Sequence, residues 1–197
     1  MINRRRFIGM GLAVAGSSLL GCAGTGSDGG WVTVLDGTSL AGWSQIGEGN
    51  WSIVEGTVQG KNGKLGYLVS AKSYADFEIR AEFWADADAN SGIFMRCQDP
   101  KKIGSNSAYE ANIFDKRSGQ DYATGAIPNF GAVQQPAPKA ANRWNTYEIT
   151  ARGDRLVVVL NGQQTVDVVN GKFRSGPIAL QSAGGTIRFR KVQIREL

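Results

Sequence analysis

The chain has 197 residues, of which 42% are hydrophobic, with 27 glycines and only 5 prolines. This length permits one domain with a sizeable core, and glycine without much proline indicates tight turns rather than a disordered linker. The formal net charge is +5, but Arg4, Arg5 and Arg6 supply three of those charges; without them, 19 basic residues face 17 acidic ones. A near-neutral domain has no electrostatic signature of nucleic-acid binding. The chain has no histidine, which excludes Ser-His-Asp and Cys-His nucleophilic sites and His-ligated zinc.

Residues 1–21 predict a signal peptide. An arginine cluster precedes an apolar run, Gly9 to Leu20, that is too short to cross a bilayer, and the arginine pair before Phe7 is typical of a twin-arginine signal. Leu19-Leu20-Gly21-Cys22 matches the bacterial lipobox, so we expect Cys22 to carry lipid and residues 22–30 to form a flexible tether. Ala23 favours anchoring in the outer membrane, facing the periplasm or the cell surface. The alternative is a plain cleaved signal with an incidental cysteine.

From Trp31 onwards, short β-patterned runs alternate with turn residues. Twelve strands are predicted: Trp31–Leu35, Trp51–Val54, Thr57–Gln59, Tyr67–Ser70, Phe77–Trp84, Gly92–Gln98, Ala108–Phe114, Trp144–Ala151, Leu156–Leu160, Gln164–Val168, Pro177–Gln181 and Thr186–Arg195. This spacing indicates a single all-β sandwich or barrel domain over residues 31–197. Asn161-Gly162 predicts a two-residue hairpin. Residues 116–141 lack periodicity, and we expect a long loop that carries function.

Alternation along three of these strands separates a core face from a polar face. On the polar side, Phe77–Trp84 displays Glu78, Arg80, Glu82 and Trp84; Gly92–Gln98 displays Phe94, Arg96 and Gln98; and Ala108–Phe114 displays Glu110 and Asn112. Together they predict one sheet face with carboxylates, an arginine, amides and aromatic rings, which are the groups that stack on and hydrogen-bond to sugars. The alternative is an ordinary solvated face with paired charges.

Two further features have structural alternatives. Asp86, Asp88 and Asn90 have an alternate, oxygen-rich spacing that suits calcium, although the same residues also favour a plain turn. Cys97 lies in an apolar strand context without histidine to activate it, so we expect a buried, unreactive thiol.

Ordered fragments along the mature chain carry a family resemblance. They are Leu35–Trp43, Trp51–Gly56, Asn90–Arg96, Tyr109–Asp115, Thr124–Ile127 and Gly176–Gln181. In this order and spacing, from about Val32 to Leu197, the chain resembles the 3-keto-disaccharide hydrolase domain family. The resemblance implies an antiparallel jelly-roll β-sandwich of the concanavalin A-like type. It also implies cleavage of glycosides oxidised at C3, where the ketone acidifies the neighbouring C–H and the aglycone leaves by elimination.

The resemblance also implies roles for individual residues. Glu110 is expected to be the general base, Arg96 the electrophile near the carbonyl, and Asp115 a third catalytic group. The resemblance implies substrate binding at Gln181, and the polar face predicted from alternation adds Asn112, Glu82 and Trp84 as substrate-binding residues. No metal or other cofactor is expected beyond the calcium alternative. Ser182-Ala183 replaces the Asp-His or Ser-Glu pair that is common in the family, so one proton-transfer group is missing. The carbohydrate partner could therefore be bound by a non-catalytic module, and an interaction domain without sugar affinity is the third hypothesis.

Overall fold

The computed structural model describes residues 29–61 and 64–197, so the predicted signal peptide, the lipobox and most of the tether lie outside the described residues. Thirteen strands occur within these residues: β1 (Val32–Leu35), β2 (Trp43–Gly47), β3 (Asn50–Val54), β4 (Thr57–Lys61), β5 (Gly66–Tyr74), β6 (Phe77–Ala85), β7 (Ser91–Met95), β8 (Tyr109–Ile113), β9 (Trp144–Arg152), β10 (Arg155–Leu160), β11 (Gln163–Val169), β12 (Gly176–Ser182) and β13 (Thr186–Glu196). All twelve predicted strands are present. The strand that the sequence pattern missed is β2, whose residues are exposed or half-buried and therefore show no apolar alternation.

The strands form two antiparallel sheets packed face to face. The eight-stranded sheet has the order β11-β10-β9-β6-β13-β4-β3, with β1 paired to β13, and the five-stranded sheet has the order β2-β5-β12-β7-β8. This arrangement confirms the all-β, antiparallel sandwich of the concanavalin A-like type. In the described ranges, no helix is long and apolar enough to span a lipid bilayer.

The core lies between the two sheets and follows the predicted alternation of β6. Phe77, Ile79, Ala81 and Phe83 are all fully buried there. The ring of Phe83 stacks on Tyr147 of β9 with their centroids 5.0 Å apart. Each large apolar side chain buried in this way contributes roughly 1.5–3 kcal/mol to folding.

The hairpin between β10 and β11 has the predicted two-residue turn. Asn161 and Gly162 have φ angles of 51° and 81°, and this pair of positive angles is the mirror-image turn that matches the twist of the flanking strands. The Asn161 side chain also accepts a hydrogen bond from the backbone N–H of Thr146 at 2.9 Å, which fixes the turn against β9.

A second apolar cluster covers the outer face of the five-stranded sheet. Its buried members are Tyr67, Val69, Phe94, Cys97, Ala108 and Ala179. Ile46 and Ile103 pack against them, and Ile103 belongs to the loop between β7 and β8. Burial raises the pKa of the Cys97 thiol to about 12, in agreement with the expected unreactive cysteine. This outer face is therefore partly closed by a loop rather than open to solvent.

The outer face of the eight-stranded sheet receives the first described residues. The ring of Trp31 contacts the guanidinium groups of Arg80 and Arg195, whose central carbons are 4.4 and 4.9 Å from the ring centroid. Arg195 also donates a hydrogen bond to the carbonyl of Gly29 at 3.3 Å. Cation–π contacts of this kind fix the point where the chain enters the domain.

Candidate functional site

The predicted polar face does not exist as one surface, because its three strands belong to different sheets. β6 lies in the eight-stranded sheet, whereas β7 and β8 lie in the five-stranded sheet. Glu82 and Trp84 therefore point away from Glu110, and their assignment to its site is wrong. Glu82 pairs with Arg190, and Trp84 lies under Arg188 at 5.6 Å. Alternation identifies the side of a strand that a residue occupies, but it does not identify the sheet to which the strand belongs.

Strand register assembles a candidate site on the outer face of the five-stranded sheet. Tyr67 pairs with Gln181, and Gly92 pairs with Asn112. The antiparallel register of β12 and β7 brings Gln181 opposite Gly92, so these four residues form one row across four strands. Glu110 belongs to the neighbouring row, opposite Phe94. The site thus combines a carboxylate and an amide from β8, a second amide from β12 and a phenol from β5, while β7 contributes Gly92 between them.

Glu110 is a buried residue whose carboxylate has no positively charged side chain in direct contact with it. Its residue is 8% exposed, and within the described residues no hydrogen bond or ion pair holds its side chain. Loss of hydration raises the pKa of Glu110 to about 8, and the charge of Arg117 opposes this rise. A carboxyl group that titrates near neutral pH can both accept and return a proton, as general acid–base chemistry requires.

Tyr67 and Gln181 supply hydrogen-bonding groups beside Glu110. The Tyr67 hydroxyl donates to the carbonyl of Ile103 at 3.2 Å and accepts from Gln181 Nε2 at 3.4 Å. Gln181 Oε1 is buried and has no partner in the described part of the chain. Burial raises the pKa of Tyr67, and the charge of Glu110 adds to the rise, so the hydroxyl stays protonated. An unpaired buried acceptor is costly, so Gln181 Oε1 is a free hydrogen-bonding group on this face of the sheet.

Tyr67 is a residue of the candidate site that the sequence analysis did not identify. Its strand was predicted, and alternation would have grouped Tyr67 with Val69 on one face, but an aromatic residue in a short strand gives no signal of chemistry. The ring of Tyr67 meets Phe94 edge-on at 5.5 Å between centroids. The phenol is therefore held at a fixed angle beside the site.

Arg96 has a structural role, and its assignment as the electrophile is wrong. The side chain is fully buried, and its guanidinium donates to the carbonyls of Ala75 at 2.8 Å, Gly153 at 2.9 Å and Phe173 at 3.1 Å. It also forms an ion pair with Asp76 at 3.1 Å. β7 ends at Met95, and Arg96 has a φ of 53°, so the alternation of the strand does not extend to this residue.

Asp115 likewise ties a loop together instead of facing the site. Its carboxylate accepts hydrogen bonds from the backbone N–H groups of Ala140 and Ala141 at 2.9–3.1 Å and from the Thr124 hydroxyl at 2.6 Å. These contacts close the loop between β8 and β9 at both ends. β8 ends at Ile113, so Asp115 lies outside the register that aligns Glu110.

Asn112 lies in the site row but uses its amide nitrogen elsewhere. Its Nδ2 donates to the carbonyl of Tyr122 at 2.7 Å, in the short 3-10 helix Gln120–Tyr122. Its backbone pairs with Gly125 and Ala126 at 3.0 Å. Asn112 therefore holds the long loop against the edge of the site.

The oxygen-rich turn after β6 uses its carboxylates internally. Asp86 accepts hydrogen bonds from the backbone N–H groups of Asp88 at 2.9 Å and Thr186 at 2.7 Å, while Asp88 pairs with Lys116. In residues 29–61 and 64–197, no group of three or more Asp, Glu, His or Cys side chains could hold a metal ion. These contacts favour the plain turn over the calcium alternative.

Ser182 and Ala183 lie on opposite sides of the chain. Ser182 is fully buried between the sheets, and its Oγ has no partner among the described residues. Ala183 is half-buried, and its N–H donates to the carbonyl of Asn90 at 2.9 Å. β12 ends at Ser182, so the alternation of the strand does not extend to Ala183.

A separate cleft of about 630 Å³ lies between β11 and residues 131–138. Glu110, Gln181 and Tyr67 do not line it, and its glutamines are exposed. The residues of the candidate site are thus on the outer face of the five-stranded sheet and not in this cleft.

Comparison with known proteins relates the whole sandwich to one family. A family model for the 3-keto-alpha-glucoside-1,2-lyase-like domain matches residues 30–195. A curated 3-keto-disaccharide hydrolase of Bacteroides thetaiotaomicron is 28% identical over 70% of this chain and 58% of its own length. The chain therefore spans a little more than half of that relative.

Solved structures share the fold. A candidate glycosyl hydrolase from Parabacteroides distasonis is 19% identical and superposes with a TM-score of 0.76, covering 86% of this chain and 94% of that one. Carbohydrate-binding module CBM66 from Bacillus subtilis is 20% identical, with a TM-score of 0.62 over 79% of this chain and 96% of that one. At these identities, the likeness concerns the fold alone.

Proposed function

The chain belongs to the 3-keto-alpha-glucoside-1,2-lyase-like domain family, and on that premise we propose that it cleaves 3-keto-glycosides on the outer face of its five-stranded sheet. The observation that carries this proposal is Glu110, a buried and unpaired carboxylate whose pKa of about 8 suits proton transfer near neutral pH. Gln181 Oε1 beside it offers a hydrogen-bond acceptor for a sugar hydroxyl.

The proposed reaction is an elimination across C1 and C2 of the sugar. The ketone at C3 acidifies the C2–H bond, and ionised Glu110 takes that proton. The electron pair of the C–H bond forms the C1–C2 double bond, the C1–O bond breaks with its pair going to the aglycone oxygen, and protonated Glu110 returns the proton to that oxygen. One carboxyl group then serves as base and acid in succession, so the reaction does not need the carboxylate pair of ordinary glycosidases.

Negative charge develops on the ketone oxygen during proton removal and needs a donor. The Tyr67 hydroxyl is the neutral donor beside Glu110, and it can exchange its bond to the Ile103 carbonyl for one to the substrate. Arg117 adds a positive charge that acts on Glu110. Donors aimed at developing charge stabilise such transition states by several kcal/mol in total.

The second candidate function is a non-catalytic carbohydrate-binding module. Ala183 supports it, because this position lacks the second proton-transfer group common in the family. The amide of Gln181 and the hydroxyl of Tyr67 could still bind a sugar without any proton transfer. Incubation with a panel of 3-keto-glucosides, with aglycone release as the readout, separates the two. Release by wild type and not by Glu110→Gln supports the lyase; sugar binding without release from any member of the panel supports the module.

A further inference from the structure

Glu110 does not lie over its own register partner but over the neighbouring glycine of β7. Phe94 stands opposite Glu110, while Gly92 stands opposite Asn112, two residues away on the same face. A Cβ atom built at Gly92 would lie 2.5 Å from Glu110 Oε1, 2.8 Å from its Cγ and 3.1 Å from its Cδ. The Glu110 side chain therefore leans diagonally across β7 into the row that contains Gln181.

The need for glycine at position 92 comes from Glu110 and not from the backbone. The three atoms nearest to the missing Cβ all belong to Glu110, and the φ angle of Gly92 is outside the left-handed range that favours glycine. Gly176 shows the contrast, because its Cβ would meet the carbonyl oxygen of Cys97 at 2.3 Å and its φ is 157°. Alanine at 92 would thus conflict with one side chain.

From this geometry we infer that Gly92 is a positioning residue: its empty side-chain space directs the Glu110 carboxylate toward Gln181, and any larger residue there moves the carboxylate off the sheet. As a positioning role in catalysis, the inference rests on the proposed lyase function. Since a displacement of about 1 Å can cost on the order of 100-fold in rate, this space decides whether Glu110 meets the substrate proton.

The test uses Gly92→Ala in the mature chain, with Gly131→Ala as the matched control. A Cβ at Gly131 would lie 2.5 Å from Val166 Cγ1, an equally close approach to a side chain that does not belong to the site. The first readout is the titration of Glu110, followed by carboxyl carbon NMR. We expect Gly92→Ala to lower the pKa of Glu110 by at least one unit, because the displaced carboxylate gains water, and Gly131→Ala to leave it unchanged.

The second readout is turnover of a 3-keto-glucoside. We expect Gly92→Ala to lower kcat about 10- to 100-fold with KM changed less than threefold, and to have no further effect in a Glu110→Gln background, because both changes act through one group. Titration and melting temperature are measured without substrate, so they remain informative if wild type proves inactive. An unchanged Glu110 titration in folded Gly92→Ala would overturn the inference, as would a loss of kcat that persists in the Glu110→Gln background.

Discussion

Arg96 Nη2 lies 3.1 Å from Asp76 Oδ1, and this ion pair anchors the end of β7 to the turn before β6. The arginine belongs to the five-stranded sheet side of the molecule, whereas Asp76 immediately precedes a central strand of the eight-stranded sheet. The pair is therefore a clamp between the two layers, and it takes the guanidinium away from any substrate.

The first prediction follows from this clamp. Arg96→Ala should destabilise the domain by about 2–4 kcal/mol, because three backbone carbonyls and Asp76 lose a buried donor. Urea unfolding of the purified domain measures the change. The control is Lys64→Ala, since the exposed pair of Lys64 with Glu48 should contribute less than about 1 kcal/mol. Equal stability losses would contradict the assignment of Arg96 as a structural residue.

The second prediction concerns pH and Glu110. Its pKa of about 8 in the folded state lies above the ordinary value near 4.5, so the folded protein holds this proton more tightly than the unfolded chain does. The stability it contributes is full below pH 4.5 and is lost as the pH rises to 8, at up to about 1.4 kcal/mol per pH unit. Glu110→Gln should flatten the wild-type decline between those values in urea unfolding. Parallel curves for the two proteins would show that Glu110 titrates normally.

The third prediction concerns the rate. If Glu110 is the base, Glu110→Gln should lower aglycone release by about 10²- to 10⁴-fold while sugar affinity changes only severalfold. In wild type, kcat/KM should rise with pH up to about 8, because the ionised carboxylate takes the proton. A pH–rate profile that is flat from pH 6 to 9 would place the proton transfer on another group.

The fourth prediction separates binding from folding at Gln181. Gln181→Leu should change the melting temperature little, because the acceptor it removes has no partner in the described residues and the bond it loses to the Tyr67 hydroxyl is long, at 3.4 Å. The same change should weaken sugar binding about tenfold in calorimetry, since the substrate loses one hydrogen bond. Unchanged affinity would show that the amide does not reach the sugar.

The fifth prediction tests the anchor that we propose at Cys22, which lies outside the described residues. Wild type should partition into the membrane fraction after detergent-free lysis, and Cys22→Ser should move to the soluble periplasmic fraction. Identical partitioning of the two proteins would rule out lipidation at this position.

The sequence predicted the fold better than the site, and particular residues show why. β6 is a long strand with strict alternation, so Phe77 and Ile79 could be assigned to the core from local pattern alone. Glu110 and Gln181 were expected in the site and lie in neighbouring rows of one sheet face. Glu82 was placed wrongly because sheet membership depends on how distant segments pair, which a local pattern does not contain.

Arg96 and Gly92 illustrate two further limits. The left-handed φ of Arg96 ends the alternation one residue after β7, and nothing in the residue type announces that change. The glycine at 92 is indistinguishable in sequence from a turn glycine; its contact with Glu110 appears only when two strands are aligned. A site in which one residue has to be small so that a neighbouring side chain fits can be predicted only when the register of the two strands is known.

The contacts of Trp31 with Arg80 and Arg195 also bear on how a pulling force on the chain would reach the domain. The chain passes from Trp31, held on the outer face of the eight-stranded sheet, directly into β1, which pairs with β13. A pull on the segment before Gly29 should therefore load β13 and β6 first, and the strands that carry Glu110 and Gly92 belong to the other sheet. The chain therefore enters the domain on the side opposite to Glu110, so an attachment through that segment would leave the proposed site free.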